Sequence, residues 1–404
     1  MGDYQRGRMW ANMLATDEEV IQRIKKIASP HDKAVGLHEP CFMGNEWKYV
    51  KECLDTGWVS SVGKFVDKFE NDLTDVTGAK FAIATANGTS ALHISYLLAG
   101  VTTGDEVLVP TLTFVATINA IAYCGAIPHF IDSEEQSLGI DVVRLEDYLN
   151  NIARMDGAIC VNKLTGRPIR ALCVMHTLGH PVDLDPIEQL CKKYQLALIE
   201  DAAEALGSYY KGAHVGHRGL LGALSFNGNK IITTGGGGAI LTNSTELAKR
   251  AKHITTTAKL SHAWLFEHDQ VGYNYRLPNI NAALGCAQLE QLPQFLRAKR
   301  TLSDQYSKNF LKCAGLRFIT EPSYAKSNYW LNAILLDESV AEIRNSLLDS
   351  LNKAGIAVRP LWNLQHSQLM YKECPRMDLS MAESLQKRLI KLPSSPHLAT
   401  NNLT

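Results

Sequence analysis

Leu196-Ala-Leu-Ile-Glu-Asp201 is an apolar run that ends in two carboxylates, and its reading decides the fold. Four apolar residues in a row suit a strand buried on both faces, as in a parallel sheet covered by helices. Upstream, four more short apolar runs repeat the pattern, at Phe81–Ala86, Glu106–Pro110, Ile127–Asp132 and Ile169–His176. Helix-spaced stretches alternate with them, at Thr89–Gly100, Phe114–Cys124, Asp141–Asn151 and Asp185–Tyr194. That alternation predicts an α/β fold with a mostly parallel sheet wrapped by helices. Ala223–Phe226 and Ala239–Thr242 read as two further strands around a glycine-rich loop.

The pattern changes near residue 314. A strand over 329–336, a helix over 340–354, a strand over 356–360 and a helix over 381–391 suggest a small α+β domain. Residues 279–312 read as helix interrupted at Pro293. The expected division is an N-terminal extension and helix over 1–35, a large domain over 36–278, and connecting helices with the small domain over 279–404.

Composition narrows the function classes. The 404 residues include 41 basic and 41 acidic side chains, so no global field favours nucleic acid or an anionic membrane. The nine cysteines stand singly with no CxxC pair, which argues against a zinc site or a disulfide framework. No apolar signal-peptide core or uninterrupted membrane-length run is present. The expectation is a soluble, cytoplasmic protein without a metal, acting on small molecules.

Open α/β sheets bind ligands beyond the carboxyl ends of their strands, which is where Asp201 falls. A carboxylate there can pair with a protonated ring nitrogen, although a strand-end Asp also caps helices. Downstream, Ser225-Phe-Asn-Gly-Asn-Lys230-Ile-Ile-Thr-Thr-Gly-Gly-Gly-Gly238 holds a lysine among small polar residues and glycines. It fails the P-loop pattern G-x-x-x-x-G-K-[ST], because Ile231 stands where the magnesium-binding hydroxyl belongs. Between the first strand and its helix lies Asn87-Gly88-Thr89-Ser90. Its hydroxyls and free N–H groups can hold a phosphate or simply cap the helix.

An amine, a strand-end anion and a phosphate anchor, in this order, suit pyridoxal phosphate. Lys230 is the catalytic candidate. Gly88, Thr89, Ser90, Asp201 and Ser225 are candidates for holding the coenzyme. Phe114 can stack on a planar ring, but its spacing alone reads more readily as a core aromatic. Glu204, three residues after Asp201, can share its side of a helical turn. His176 and His180 lie past a strand end and read first as satisfied loop histidines.

Together these motifs resemble the DegT/DnrJ/StrS family of sugar-nucleotide aminotransferases, which have the aspartate aminotransferase type of fold. The resemblance runs from about Leu37 to Leu398. It also draws on Gly57-Trp-Val-Ser-Ser-Val-Gly63, Glu200-Asp-Ala-Ala-Glu-Ala205, Gly272-Tyr-Asn-Tyr-Arg276 and Leu392-Pro393. It implies Lys230 as the coenzyme-linked lysine, Asp201 on the ring nitrogen, Glu204 near the ring oxygen and Phe114 on the ring face. Thr89, Ser90 and Ser225 would contact the phosphate, and Asn274 would reach it across a homodimer interface. The implied reaction passes an amino group from L-glutamate, through pyridoxamine phosphate, to C4 of a nucleotide-linked 4-keto-6-deoxy sugar. Arg359 is a candidate for the donor carboxylate by analogy with other members of the fold.

Many family members carry Thr-Thr-Gly-Glu-Gly-Gly after the lysine, whereas this chain has Gly236 at the glutamate position. With His38-Glu-Pro40 and Asn45-Glu-Trp47, this resembles the branch that makes UDP-4-amino-4,6-dideoxy-N-acetylglucosamine. That sugar leads to bacillosamine or legionaminic acid in bacterial surface glycans. Perosamine synthases, acting on a GDP-sugar, share much of the pattern and are the alternative. A sugar dehydratase on the same fold would have histidine at Lys230, and a non-catalytic coenzyme-binding protein would not need the full acid–base set.

Overall fold

The computed structural model describes residues 15–28 and 34–399. Three helices come first: α1 (Asp17–Lys25), α2 (Glu46–Thr56) and α3 (Lys64–Thr77). The α/β alternation then runs β1 (Phe81–Thr85), α4 (Gly88–Leu98), β2 (Glu106–Pro110), α5 (Val115–Tyr123), β3 (Ile127–Ile131) and α6 (Val142–Ile152). A hairpin of β4 (Ala153–Asp156) and β5 (Ile159–Asn162) interrupts it, in a stretch without an apolar strand pattern long enough to predict it. β6 (Pro168–Met175), α7 (Leu184–Tyr194) and β7 (Ala197–Asp201) resume the pattern. Two short strands, β8 (Tyr209–Tyr210) and β9 (Ala213–His214), precede β10 (Leu221–Ser225), β11 (Gly238–Thr242) and α8 (Thr245–Thr255).

The main sheet has the order β1-β11-β10-β7-β6-β2-β3, with β5 on β6 and β4 on β5. The β10–β7, β7–β6, β6–β2 and β2–β3 pairs are parallel, while β11 is antiparallel to both of its neighbours. The carboxyl ends of β1, β2, β6, β7 and β10 therefore reach one edge of the sheet. Val107, Leu108 and Val109 are fully buried, as expected of strands covered on both faces.

α9 (Asn279–Phe310) is one 32-residue helix that continues through Pro293 rather than stopping there. Pro293 lacks the N–H that would bond the Leu289 carbonyl, but burial of Leu289, Leu292 and Phe295 holds the flanking turns. The rest comprises β12 (Leu316–Phe318), β13 (Ala325–Lys326), β14 (Asn332–Leu336), α10 (Arg344–Lys353), β15 (Arg359–Pro360), α11 (Ser380–Arg388) and β16 (Leu389–Leu392). A second, antiparallel sheet has the order β12-β14-β16-β15. The helix expected to reach residue 391 stops at Arg388. Leu389-Ile-Lys-Leu392 is instead a strand between β14 and β15, and Lys391 is paired in register with Arg359. The apolar face of α1 packs into this region, with Val20 and Ile24 in one cluster with Leu302, Tyr306 and Leu351. Among the described residues no helix is long and apolar enough to cross a membrane.

Candidate active site

A cavity of about 310 Å³ opens at the carboxyl edge of the main sheet. β7 delivers Asp201, whose neighbours in register are Met175 on β6 and Ala223 on β10. Ser225 ends β10, and Lys230 follows in a turn closed by its N–H to the Asn227 carbonyl (2.9 Å). Gly88, Thr89, Phe114, Asp201, Glu204, Ser225 and Lys230 all line the cavity. Ser90 and Asn274 do not. Ser90 is buried, with its N–H taken up by the Asn87 side chain. Asn274 is an exposed residue bridged to Thr256, so within one chain the structure leaves it outside this group.

Asp201 is buried, with Oδ2 accepting from the Thr117 hydroxyl (2.7 Å) and Oδ1 from the Ala203 N–H (3.1 Å). Burial pushes its carboxyl above the ordinary carboxylate range, against the pull of these donors and of Lys230. No cation reaches ion-pair distance of it among the described residues. A carboxylate kept dry, oriented by two donors and lacking a cation fits a partner that brings positive charge, such as a protonated pyridine ring.

Glu204 is equally buried. Its Oε2 accepts from the Leu178 N–H (2.8 Å), and its Oε1 lies 3.6 Å from Lys230 Nζ. Burial raises the Glu204 carboxyl to about 7, with Lys230 drawing it back down. Lys230 Nζ also sits 4.2 Å from the centroid of the Trp330 ring, a cation–π contact. Trp330 is itself fixed, donating from Nε1 to the Asn229 carbonyl (2.7 Å), so the indole holds the loop that carries the lysine.

At the other end, Asn87 caps α4 by accepting from the Ser90 N–H (2.8 Å). The backbone crowds here: a Cβ on Gly88 would come within 2.9 Å of Ser225 Cβ, and one on Gly238 within 2.5 Å of the Asn87 carbonyl carbon. Glycine at both positions lets β11 press the α4 N-terminus against Ser225, which gathers N–H groups and hydroxyls at a place suited to a phosphate. Phe114 is 50% exposed on the cavity wall, with its ring 6.3 Å from that of Trp362. The core reading of Phe114 is therefore corrected: the residue begins α5 at the sheet edge, where its ring overhangs the cavity.

Three contributors escaped the sequence reading. Thr117 carried a faint signal, one helical turn after Phe114. Trp330 and Trp362 carried none, because they come from the second half of the chain. His176 and His180 lie away from the cavity. His176 Nε2 is 3.0 Å from Glu200, and the buried His180 ring packs edge-on against Tyr329 with its basicity lowered by burial to about 4. Arg359 donates to Asn352 Oδ1 (3.0 Å) and the Val358 carbonyl (2.8 Å), so its guanidinium is turned to the C-terminal end of α10.

Residues 40–404 match the DegT/DnrJ/EryC1/StrS aminotransferase family. The chain belongs to this family. It is a PLP-dependent aminotransferase that acts on sugar nucleotides at C4. It is 39% identical over 373 residues to a GDP-perosamine synthase of Escherichia coli O157:H7, covering 92% of this chain and 96% of that protein. It is 35% identical to a GDP-perosamine synthase of Vibrio cholerae, over 91% of this chain and 96% of the relative. Among solved structures, Helicobacter pylori PseC, an aminotransferase involved in the biosynthesis of pseudoaminic acid, superposes with a TM-score of 0.81. The identity there is 27%, with 89% of this chain and 94% of that chain covered.

Proposed function

We propose that this aminotransferase moves the amino group of L-glutamate to C4 of a GDP-linked 4-keto-6-deoxy sugar, as a perosamine synthase does. The two GDP-perosamine synthases just described match it over nearly their whole length, which supports this substrate over the UDP-linked sugar expected from the sequence. One observation carries the chemistry: Lys230 Nζ stands 3.6 Å from Glu204 in the cavity floored by Asp201. When bound, pyridoxal phosphate supplies an aldehyde for the amine and a ring that takes up electron density.

Lys230 supplies the amine that holds the coenzyme. Its free amine would move the proton that the reaction requires, with the Trp330 face and Glu204 beside Nζ to receive the ammonium form. Asp201 keeps the ring nitrogen protonated. Glu204 would face the ring oxygen, Phe114 would cover the ring, and Gly88, Thr89, Ser90 and Ser225 would hold the phosphate. Asn274 is exposed and outside the cavity of its own chain, and the family resemblance would have it serve the phosphate of a second subunit in a homodimer. The large unit over 36–278 provides the coenzyme side, and Trp330 and Trp362 from the part that follows it the opposing wall.

A second reading keeps the UDP-linked 2-acetamido sugar, and Gly236 in place of the glutamate common in the family favours it. Rates with GDP-, UDP- and dTDP-linked 4-keto-6-deoxy sugars separate the two. A GDP preference of tenfold or more supports the proposal, and a UDP preference moves the chain to the other branch. For the chemistry, Lys230→Ala should abolish multiple turnover. Ordinary steady-state kinetics in that variant would overturn the assigned role.

A further inference from the structure

Lys391 is a charged residue of this region that no step above uses. It lies on β16 and is 6% exposed. Among the described residues its ammonium makes no hydrogen bond and no ion pair. Its contact is the face of Trp362, with Nζ 4.9 Å from the ring centroid, and Trp362 lines the cavity. The charged groups that act on it are Glu204 from the loop after β7, Lys230 from the loop after β10, and Arg359 from the paired strand β15. The first two are the reacting pair of the cavity.

A buried ammonium without an oxygen partner is costly. Burial depresses the Lys391 ammonium to about 8, and Glu204 offsets this only in part. The other cations of this side are occupied. Lys299 donates to the carbonyls of Trp330 (3.0 Å) and Ser394 (2.6 Å), Arg359 is bonded to Asn352 and Val358, and Lys230 faces Glu204. Among these cations Lys391 alone has no oxygen partner, and the end of its four-carbon stem lies against Trp362, a residue of the cavity wall.

The two substrates place negative charge differently. An α-amino acid carries a carboxylate on the carbon that bears its amine, so when that amine meets the coenzyme the carboxylate must lie beside Lys230 and Glu204. In the keto sugar the diphosphate sits on the opposite side of the ring from C4. We propose that Lys391 binds the α-carboxylate of the amino donor, and of the 2-oxo acid formed from it. It takes the place that analogy had given to Arg359. This rests on the aminotransferase reading above. It adds that donor recognition is a separable function of the second sheet. Because the anchor is one flexible point charge rather than a fixed guanidinium fork, the same space can admit a neutral sugar ring once the 2-oxo acid has left.

The test uses the holoenzyme and α-methyl-L-glutamate, which has no α-hydrogen and so binds without completing transfer. Its dissociation constant is read from the coenzyme absorbance. Lys391→Met should weaken that binding at least tenfold, and Lys391→Arg should restore most of it. Affinity for the nucleotide sugar should change by less than about threefold, because a charge-assisted contact to the carboxylate alone is lost. Thermal unfolding of Lys391→Met should be unchanged or shifted upward, since an unpaired buried charge has been removed. Unchanged α-methyl-L-glutamate binding in Lys391→Met would overturn the inference, as would a weakening confined to the nucleotide sugar. A wild-type protein whose coenzyme absorbance does not respond to L-glutamate would overturn the donor assigned under the proposed function, and this inference with it.

Discussion

Glu200 and Asp201 end the same strand, are both buried, and face opposite regions of the molecule in opposite electrostatic states. Glu200 turns to the side of the sheet packed by residues 216–219 and His176. It accepts from the N–H groups of Gly216 (2.7 Å), Arg218 (2.8 Å) and Gly219 (2.7 Å), and lies 3.0 Å from His176 Nε2. Burial works against its charge, yet these partners bring the carboxyl down to about 2. Asp201 turns to the cavity, has two neutral donors, and stays above the ordinary range because burial prevails. The first region spends its carboxylate on the fold. The second leaves a carboxylate short of positive charge, which is the condition of a site that awaits a cation.

Substitution at Asp201 should have the largest effect, and on activity. Asp201→Asn removes the anion that keeps the ring nitrogen protonated, and kcat/KM should fall at least about a thousandfold, ~4 kcal/mol of transition-state stabilisation. The coenzyme-free variant should be as stable as the parent or more so, measured by denaturant unfolding at neutral pH. A large stability loss with activity intact would break the contrast.

Glu200→Gln should do the reverse. It uncouples a buried carboxylate from three N–H donors and a histidine, and should cost about 3 kcal/mol of stability, with kcat per folded molecule nearly unchanged. The pH dependence sharpens the same point. The folded pKa of Glu200 lies below its unfolded value, so its contribution is complete above about 4.5 and is lost as pH falls towards about 2. Asp201 is shifted the other way, and its contribution declines as pH rises through its elevated value. Acid unfolding between pH 5 and 2 should therefore be shallower in Glu200→Gln than in the parent. Equal slopes would mean that other carboxylates dominate.

The legibility of the molecule follows the same division. Gly88–Ser90, Asp201, Ser225 and Lys230 are ordered by strand ends of one sheet, and a strand end is visible as an apolar run that stops. Their meeting needs only that those strands be parallel, which the α/β rhythm already implies. Trp330 and Trp362 reach the cavity from the second half of the chain, and Lys391 stands behind Trp362 on the second sheet, whose short strands and register no local pattern announces. The reading of residues 381–391 as one helix hid Lys391, because Leu389–Leu392 becomes a strand only by pairing with β14 and β15. Phe114 needs more than spacing for a related reason: spacing says that a ring is apolar, but not whether a cavity opens beside it, and only the family resemblance pointed to the cavity side.

Thr117 offers the smallest and most discriminating test. Its hydroxyl donates to Asp201 Oδ2 (2.7 Å) and lies 2.8 Å from the Thr113 hydroxyl, so it orients the carboxylate from the cavity wall. Thr117→Val keeps the shape and removes the donor, leaving Asp201 with the Ala203 N–H alone. With one neutral hydrogen bond lost, coenzyme affinity and kcat/KM should each fall by about tenfold or less, from roughly 1 kcal/mol. Asp201 should also become harder to ionise in the coenzyme-free protein, since the lost donor had favoured its charged form. Coenzyme binding followed by absorbance against pH would show this as a binding limb displaced to higher pH. A drop in affinity with no displacement would mean that Thr117 acts through packing, and that Asp201 is held in place by the strand end and the Ala203 N–H.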